Sequence, residues 1–158
     1  MATLGIQPIR LQRGYTEHHG HLGIEAPNQT FKDGVLIRPN TAGTAFQATA
    51  AGADAVGAKN KVSCGRGQNL AAPLRKVPYV DPPIANFFEI TAGGAVATAA
   101  LIKVGAQYGY NLDGAGNPYL DLLNVTNLVF QIEDAVPVAG ILGDTNVRVY
   151  ASILPGAR

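Results

Sequence analysis

Three histidines within four positions, His18, His19 and His21, form the densest group of potential metal ligands in the chain. Imidazole is the commonest side-chain ligand for transition metals, so the group invites a metal site. Its spacing argues against one. On an extended chain successive side chains point to opposite faces, so only His19 and His21 share a face, and no neighbouring carboxylates complete a tetrahedral or octahedral shell. The expectation is polar contacts and no metal. The single cysteine, Cys64, has Arg66 two residues on, a cation that lowers a thiol's pKa. A nucleophile also needs a base placed in space, and spacing along the chain does not supply one. One cysteine makes no internal disulfide, and without a second soft ligand it makes no structural zinc site. Ser63 and Ser152 stand in no Gly-x-Ser-x-Gly elbow. Glu133 and Asp134 are adjacent, so on a strand they face opposite ways and mark a strand end better than an acid/base pair. Gly65-Arg66-Gly67 and Gly114-Ala115-Gly116 neither join a strand to a helix nor continue to Gly-Lys-Ser, so both read as turns. Asn111, Asp113 and Gly114 begin like a calcium loop, but the later ligands and the closing Glu are missing. No catalytic residue, no cofactor and no metal site is expected.

The composition narrows the partners. In 158 residues, 12 Lys and Arg stand against 11 Asp and Glu, far from the basic excess of a nucleic-acid module. The most basic stretch, residues 59–76, holds Lys59, Lys61, Arg66, Arg75 and Lys76 with no acidic residue among them. Tyr79 is the only aromatic near enough for base stacking, so an exposed loop, or a basic face toward an acidic protein surface, is expected in place of nucleic-acid binding. No run of 18 apolar residues occurs. The opening Met-Ala-Thr-Leu-Gly-Ile-Gln-Pro has neither the basic start nor the apolar run of a signal peptide, so the expectation is a soluble chain with no membrane partner.

These residues must be positioned by short elements. The 19 glycines and 10 prolines interrupt every periodic run before it reaches helical length, while brief segments rich in Val, Ile, Thr, Phe and Tyr lie between the breaks. An all-β fold follows, with at most one short helix at residues 95–100. Residues 1–29 differ from the rest: Ile6, Ile9, Leu11, Tyr15, Leu22 and Ile24 are scattered without a period, as in an extended arm whose apolar side chains need a surface to cover. The body is expected over 30–158. Its predicted strands are residues 35–38 and 44–49 as a hairpin, 85–91, 108–110 and 118–122 around the Gly114 turn, 125–132, and 146–153. In the last, Val147, Val149, Ala151 and Ile153 alternate with Arg148, Tyr150 and Ser152.

One stretch carries a resemblance. Arg13-Gly14-Tyr15, followed by Glu25-Ala26-Pro27-Asn28-Gln29-Thr30-Phe31-Lys32-Asp33-Gly34-Val35-Leu36-Ile37, resembles the start of the small head decoration, or cement, proteins of tailed bacteriophages. An extended arm precedes a Lys-x-Gly turn, a strand, a second strand after a Gly-containing connection, and a small-residue segment, here Ala55-Val56-Gly57-Ala58. The likeness covers residues 10–58, and residues 59–76 have no counterpart. It implies a β-barrel or β-tulip body and a structural protein without catalysis, made in the host cytoplasm and bound to the outer surface of the virion's capsid. The major capsid protein would be one partner, and further copies of the chain, as a homo-dimer or homo-trimer, the other. The arm, Pro8 included, would carry the contact: Ile6, Ile9, Leu11 and Tyr15 in apolar pockets, with Arg10 and Arg13 on carboxylates or carbonyl oxygens. The rival expectation is a β-sandwich head-fibre or tail-associated module for host-surface glycans, for which the absence of Trp removes the usual stacking platform.

Overall fold

The computed structural model describes residues 7–8, 21–71, 75–81 and 87–158. Within them the chain is all-β, with two 3₁₀ turns, at Gly52–Ala55 and Pro155–Ala157. Eleven strands form two sheets.

Five strands from the second half close into a barrel: β7 (Phe88–Gly93), β8 (Gln107–Leu112), β9 (Pro118–Asp121), β10 (Phe130–Ile132) and β11 (Arg148–Ile153). Around the ring the order is β7, β11, β10, β8, β9 and back to β7. A ring closes only with an even number of antiparallel pairings, so five strands need a parallel neighbour; here it is β7 with β9, Ala92 opposite Leu120. The inward positions are the apolar ones. Phe88, Ile90 and Ala92 on β7 and Val149, Ala151 and Ile153 on β11 are buried, as the alternation in residues 146–153 predicts. β1 (Gln7–Pro8) pairs antiparallel with Phe88 and Glu89, and so fills the half of the β7 edge that β9 leaves free.

The second sheet has the order β2 (His21–Ile24), β6 (Lys76–Val80), β5 (Lys61–Ser63), β3 (Leu36–Pro39) and β4 (Phe46–Ala48), all antiparallel. It curls until Glu25 bridges Phe46, wrapping a small core of Phe31, Val35, Ile37 and Val77. Gly23 is required there, because a Cβ would enter the Phe46 ring. Its opposite face joins the barrel: Leu36, Val62 and Ala55 share a core with Tyr110, Phe130 and Ile153. The joint lies at the end of the barrel where β8 finishes and β9 begins. There the Leu36 N–H donates to Tyr110 Oη at 3.4 Å and Lys32 Nζ donates to Asn117 Oδ1 at 3.0 Å.

Three expectations change in detail, and the allowance for one short helix is not taken up. The second sheet begins at His21, ahead of the body boundary drawn at residue 30, because Leu22 and Gly23 find partners in Pro78 and Val77. The basic stretch 59–76 is only partly a loop. It contains β5, a central strand, and the start of β6; three-residue strands with one large apolar side chain carry no visible alternation. Residues 95–100 form no helix: the N–H groups of Leu101 and Ile102 both donate to the Thr98 carbonyl, and the chain turns away. Of residues 125–132 only 130–132 pair, since residues 122–129 leave β9 as a loop whose Asn124 carbonyl accepts from Gly109 N.

Candidate functional site

The arm residues on which docking was expected are Ile6, Pro8, Ile9, Arg10, Leu11, Arg13 and Tyr15. Pro8 is in β1, paired across from Phe88; the other six lie outside the described residues. What is defined is the anchorage on either side of residues 9–20. Pro8 belongs to a strand on the barrel, and His21 opens a strand on the second sheet. Both flanks of that segment are therefore fixed to the body.

The anchorage at His21 is built by residues distant in sequence. Its ring stacks on Tyr79 with centroids 5.4 Å apart, and Tyr79 in turn packs on Phe46 at 4.7 Å. His21 Nε2 lies 3.6 Å from Asp81 Oδ2, while the other carboxylate oxygen of Asp81 pairs with Lys61 Nζ. The cluster spans β2, β6 and β5 and fixes their register. Sequence reading missed it because His21, Phe46 and Lys61 are far along the chain from Tyr79 and Asp81 and meet them only through the register His21 opposite Tyr79 and Ser63 opposite Tyr79. Burial, and then the Asp81 charge, push the Tyr79 hydroxyl above the ordinary tyrosine range. With two ring neighbours already in place, Tyr79 is not an open stacking platform.

The other sequence candidates fall into structural roles. Among the described residues no group of three or more His, Cys, Asp or Glu side chains is arranged to hold a metal ion; His18 and His19 lie outside them. Cys64 is at the surface, and its thiol is pushed up by partial burial and then by Asp33, away from the thiolate a nucleophile needs. Glu133 accepts from the Ser152 hydroxyl, whereas Asp134 Oδ1 accepts from Val136 N at 2.9 Å, so the two carboxylates do not converge. The Gly114 segment is a hairpin tip, in which Asp113 Oδ1 accepts from the N–H groups of Ala115 and Asn117. Gly67 marks a close backbone approach: a Cβ would meet the Gln29 carbonyl oxygen at 2.6 Å, and Gly67 N donates to the Phe31 carbonyl. Arg66, Arg75 and Lys76 are exposed on this side of the second sheet, beside exposed Leu22, Ile24 and Leu70.

What these groups present at the surface is apolar side chains and charge. No protein-family model, curated protein or solved structure matches the chain.

Proposed function

We propose that this protein is a structural decoration component of a tailed-bacteriophage head, binding the outer surface of the assembled shell through its N-terminal segment and reinforcing it, with no reaction to catalyse. The observation that carries the reading is the order of elements in the stretch that bears the resemblance. The Lys32-Asp33-Gly34 turn leads into β3, and a connection through Gly43 leads to β4. These strands pair with Ile37 opposite Ala48, and the small-residue segment Ala55-Val56-Gly57-Ala58 follows. β3 and β4 lie in the second sheet, which packs against a barrel of the kind that the resemblance implies.

In this reading residues 9–15 contact the major capsid protein. Ile9, Leu11 and Tyr15 supply apolar area worth roughly 25 cal/mol per Å² removed from water, and Arg10 and Arg13 fix the register on oxygen acceptors. β1 and β2 hold both flanks of the segment, so less conformational entropy is lost on binding than with a tail fixed at one end only. Two or three copies in one oligomer add effective concentrations on the order of mM, so that weak individual sites hold together.

The anchorage also determines how the reading is tested. Deleting residues 2–24 would remove β2 and damage the second sheet, so the discriminating variant is the full chain carrying Ile9→Ser, Leu11→Ser and Tyr15→Ser. It is expected to keep the wild-type circular dichroism spectrum and melting temperature while no longer co-sedimenting with phage heads that lack the protein. Co-sedimentation at near wild-type affinity overturns the role of the arm.

A further inference from the structure

The barrel has one end against the second sheet and, among the described residues, one end free. At the free end β7 and β9 finish and β8 and β11 begin, so the segments 94–106, 122–129 and 133–147 emerge there together. Gly143 N donates to the Ala97 carbonyl, and Leu122 N to the Gly93 carbonyl, which ties these segments to one another. Of the eleven large apolar side chains exposed among the described residues, seven lie in them. Val96, Leu123, Val125, Val136 and Ile141 are each between 54% and 75% exposed. Single exposed aliphatics are ordinary, but such a concentration at one end of a small domain is a mark of an interaction surface.

The way these side chains are presented supports that function. Leu123 N donates to Asp121 Oδ1 at 3.1 Å, Val136 N to Asp134 Oδ1 at 2.9 Å, and Ile141 N to Asp144 Oδ2 at 3.1 Å. Each tip thus has its own main-chain donor satisfied inside the loop, and covering it with a partner leaves no buried N–H without an acceptor. The same device places the exposed carboxylates Asp134 and Asp144 beside the apolar tips, with Lys103 the exposed cation of segment 94–106.

The complementary surface is on the same chain. At the flank of the second sheet, exposed Leu22, Ile24 and Leu70 adjoin Arg75 and Lys76, because Glu25 N donates to the Arg75 carbonyl and Asn28 N to the Leu70 carbonyl. We infer that the free end of the barrel docks on this basic, apolar flank of a second copy of the chain, giving a head-to-tail contact. Two free ends meeting each other would oppose Asp134 and Asp144 to their own copies, a like-charge arrangement, whereas the flank supplies Arg75 and Lys76 with aliphatic partners between them. A contact between two different patches leaves one of each unused in a dimer, so growth continues to a ring or a filament. The proposal does not depend on the capsid reading, and its test uses the protein alone.

Two full-length variants decide it: Val136→Glu with Ile141→Glu at the barrel end, and Arg75→Glu with Lys76→Glu at the flank. All four positions are exposed, and circular dichroism verifies that both variants fold as the wild type does. In sedimentation equilibrium the wild type is expected to form species larger than one chain that weaken as salt is raised. Each variant alone is expected to be monomeric. Mixed in equal amounts, they are expected to form a one-to-one dimer that grows no further, since each retains one intact patch. A monomeric wild type, a barrel-end variant that still self-associates, or a mixture that stays monomeric overturns the inference.

Discussion

Tyr110 stands where the two sheets meet, fully buried, its ring 6.3 Å from that of Phe130 and its hydroxyl accepting from Leu36 N. Burial raises its pKa strongly and outweighs the opposing effect of the Leu36 hydrogen bond. A raised acid pKa means that the folded chain holds this proton where the unfolded chain has released it. Its contribution is therefore whole below the unfolded value of about 10 and declines as pH rises from there toward the folded value. Urea unfolding across alkaline pH is expected to show stability falling by up to about 1.4 kcal/mol per pH unit from this group. Tyr110→Phe should flatten that slope. At neutral pH the same substitution is expected to lower stability by about 1 to 3 kcal/mol, the cost of leaving a buried Leu36 N–H without its acceptor. A variant with the wild-type alkaline slope would show that Tyr110 does not titrate on unfolding as described.

Among the elements, the joint between the sheets depends on one buried polar side chain. Asn60 Nδ2 donates to the carbonyls of Ala55 and Ala157, both at 2.7 Å, and its Oδ1 accepts from the Thr49 hydroxyl at 2.8 Å. It thereby ties the 3₁₀ turn at Gly52–Ala55 and the loop after β4 to the turn that follows β11. Asn60→Ala removes three hydrogen bonds at a site with no solvent exposure and is expected to cost about 3 kcal/mol or more in urea unfolding. Asn60→Asp should cost at least as much, since a carboxylate facing two carbonyl oxygens has no donor to offer them. A loss below about 1 kcal/mol for both variants would mean that the joint is held by the apolar core alone. This contact was not legible in the sequence, where an Asn between Lys59 and Lys61 looks like a loop residue and its partner carbonyl is 97 positions away. β11 and the β8–β9 hairpin were legible, because six residues with alternating burial, or a Gly-rich turn flanked by strands, carry their own signal. β5 and β6 were not: one has three residues, and the other has Pro78 in its middle, which normally argues against an interior strand. The free-end surface was hidden for a related reason. Val96 sits in the stretch read as a possible short helix, and Leu123 and Ile141 fall between the predicted strands; only closure of the barrel brings their loops to one end.

For the whole molecule the question is whether two sheets make one folding unit or two. The second sheet wraps its own small core, and with its curl closed by the Glu25 to Phe46 bridge it has the outline of an independent module. Its larger apolar commitment lies elsewhere. Leu36, Val62 and Ala55 are wholly buried in the barrel's cluster, and Leu112 of β8 packs against both cores. Separating the sheets would open those side chains to water together with the Asn60 and Tyr110 contacts, several kcal/mol in total, while Phe31, Val35, Ile37 and Val77 offer little core with which to stand alone. The chain is therefore expected to melt in a single calorimetric transition, with van't Hoff and calorimetric enthalpies equal, despite its two sheets. Asn60→Ala should move that transition to lower temperature without dividing it. Two resolved transitions in the wild type, or a low-temperature shoulder in Asn60→Ala alone, would place the boundary of cooperativity at the joint and make the second sheet a separable domain.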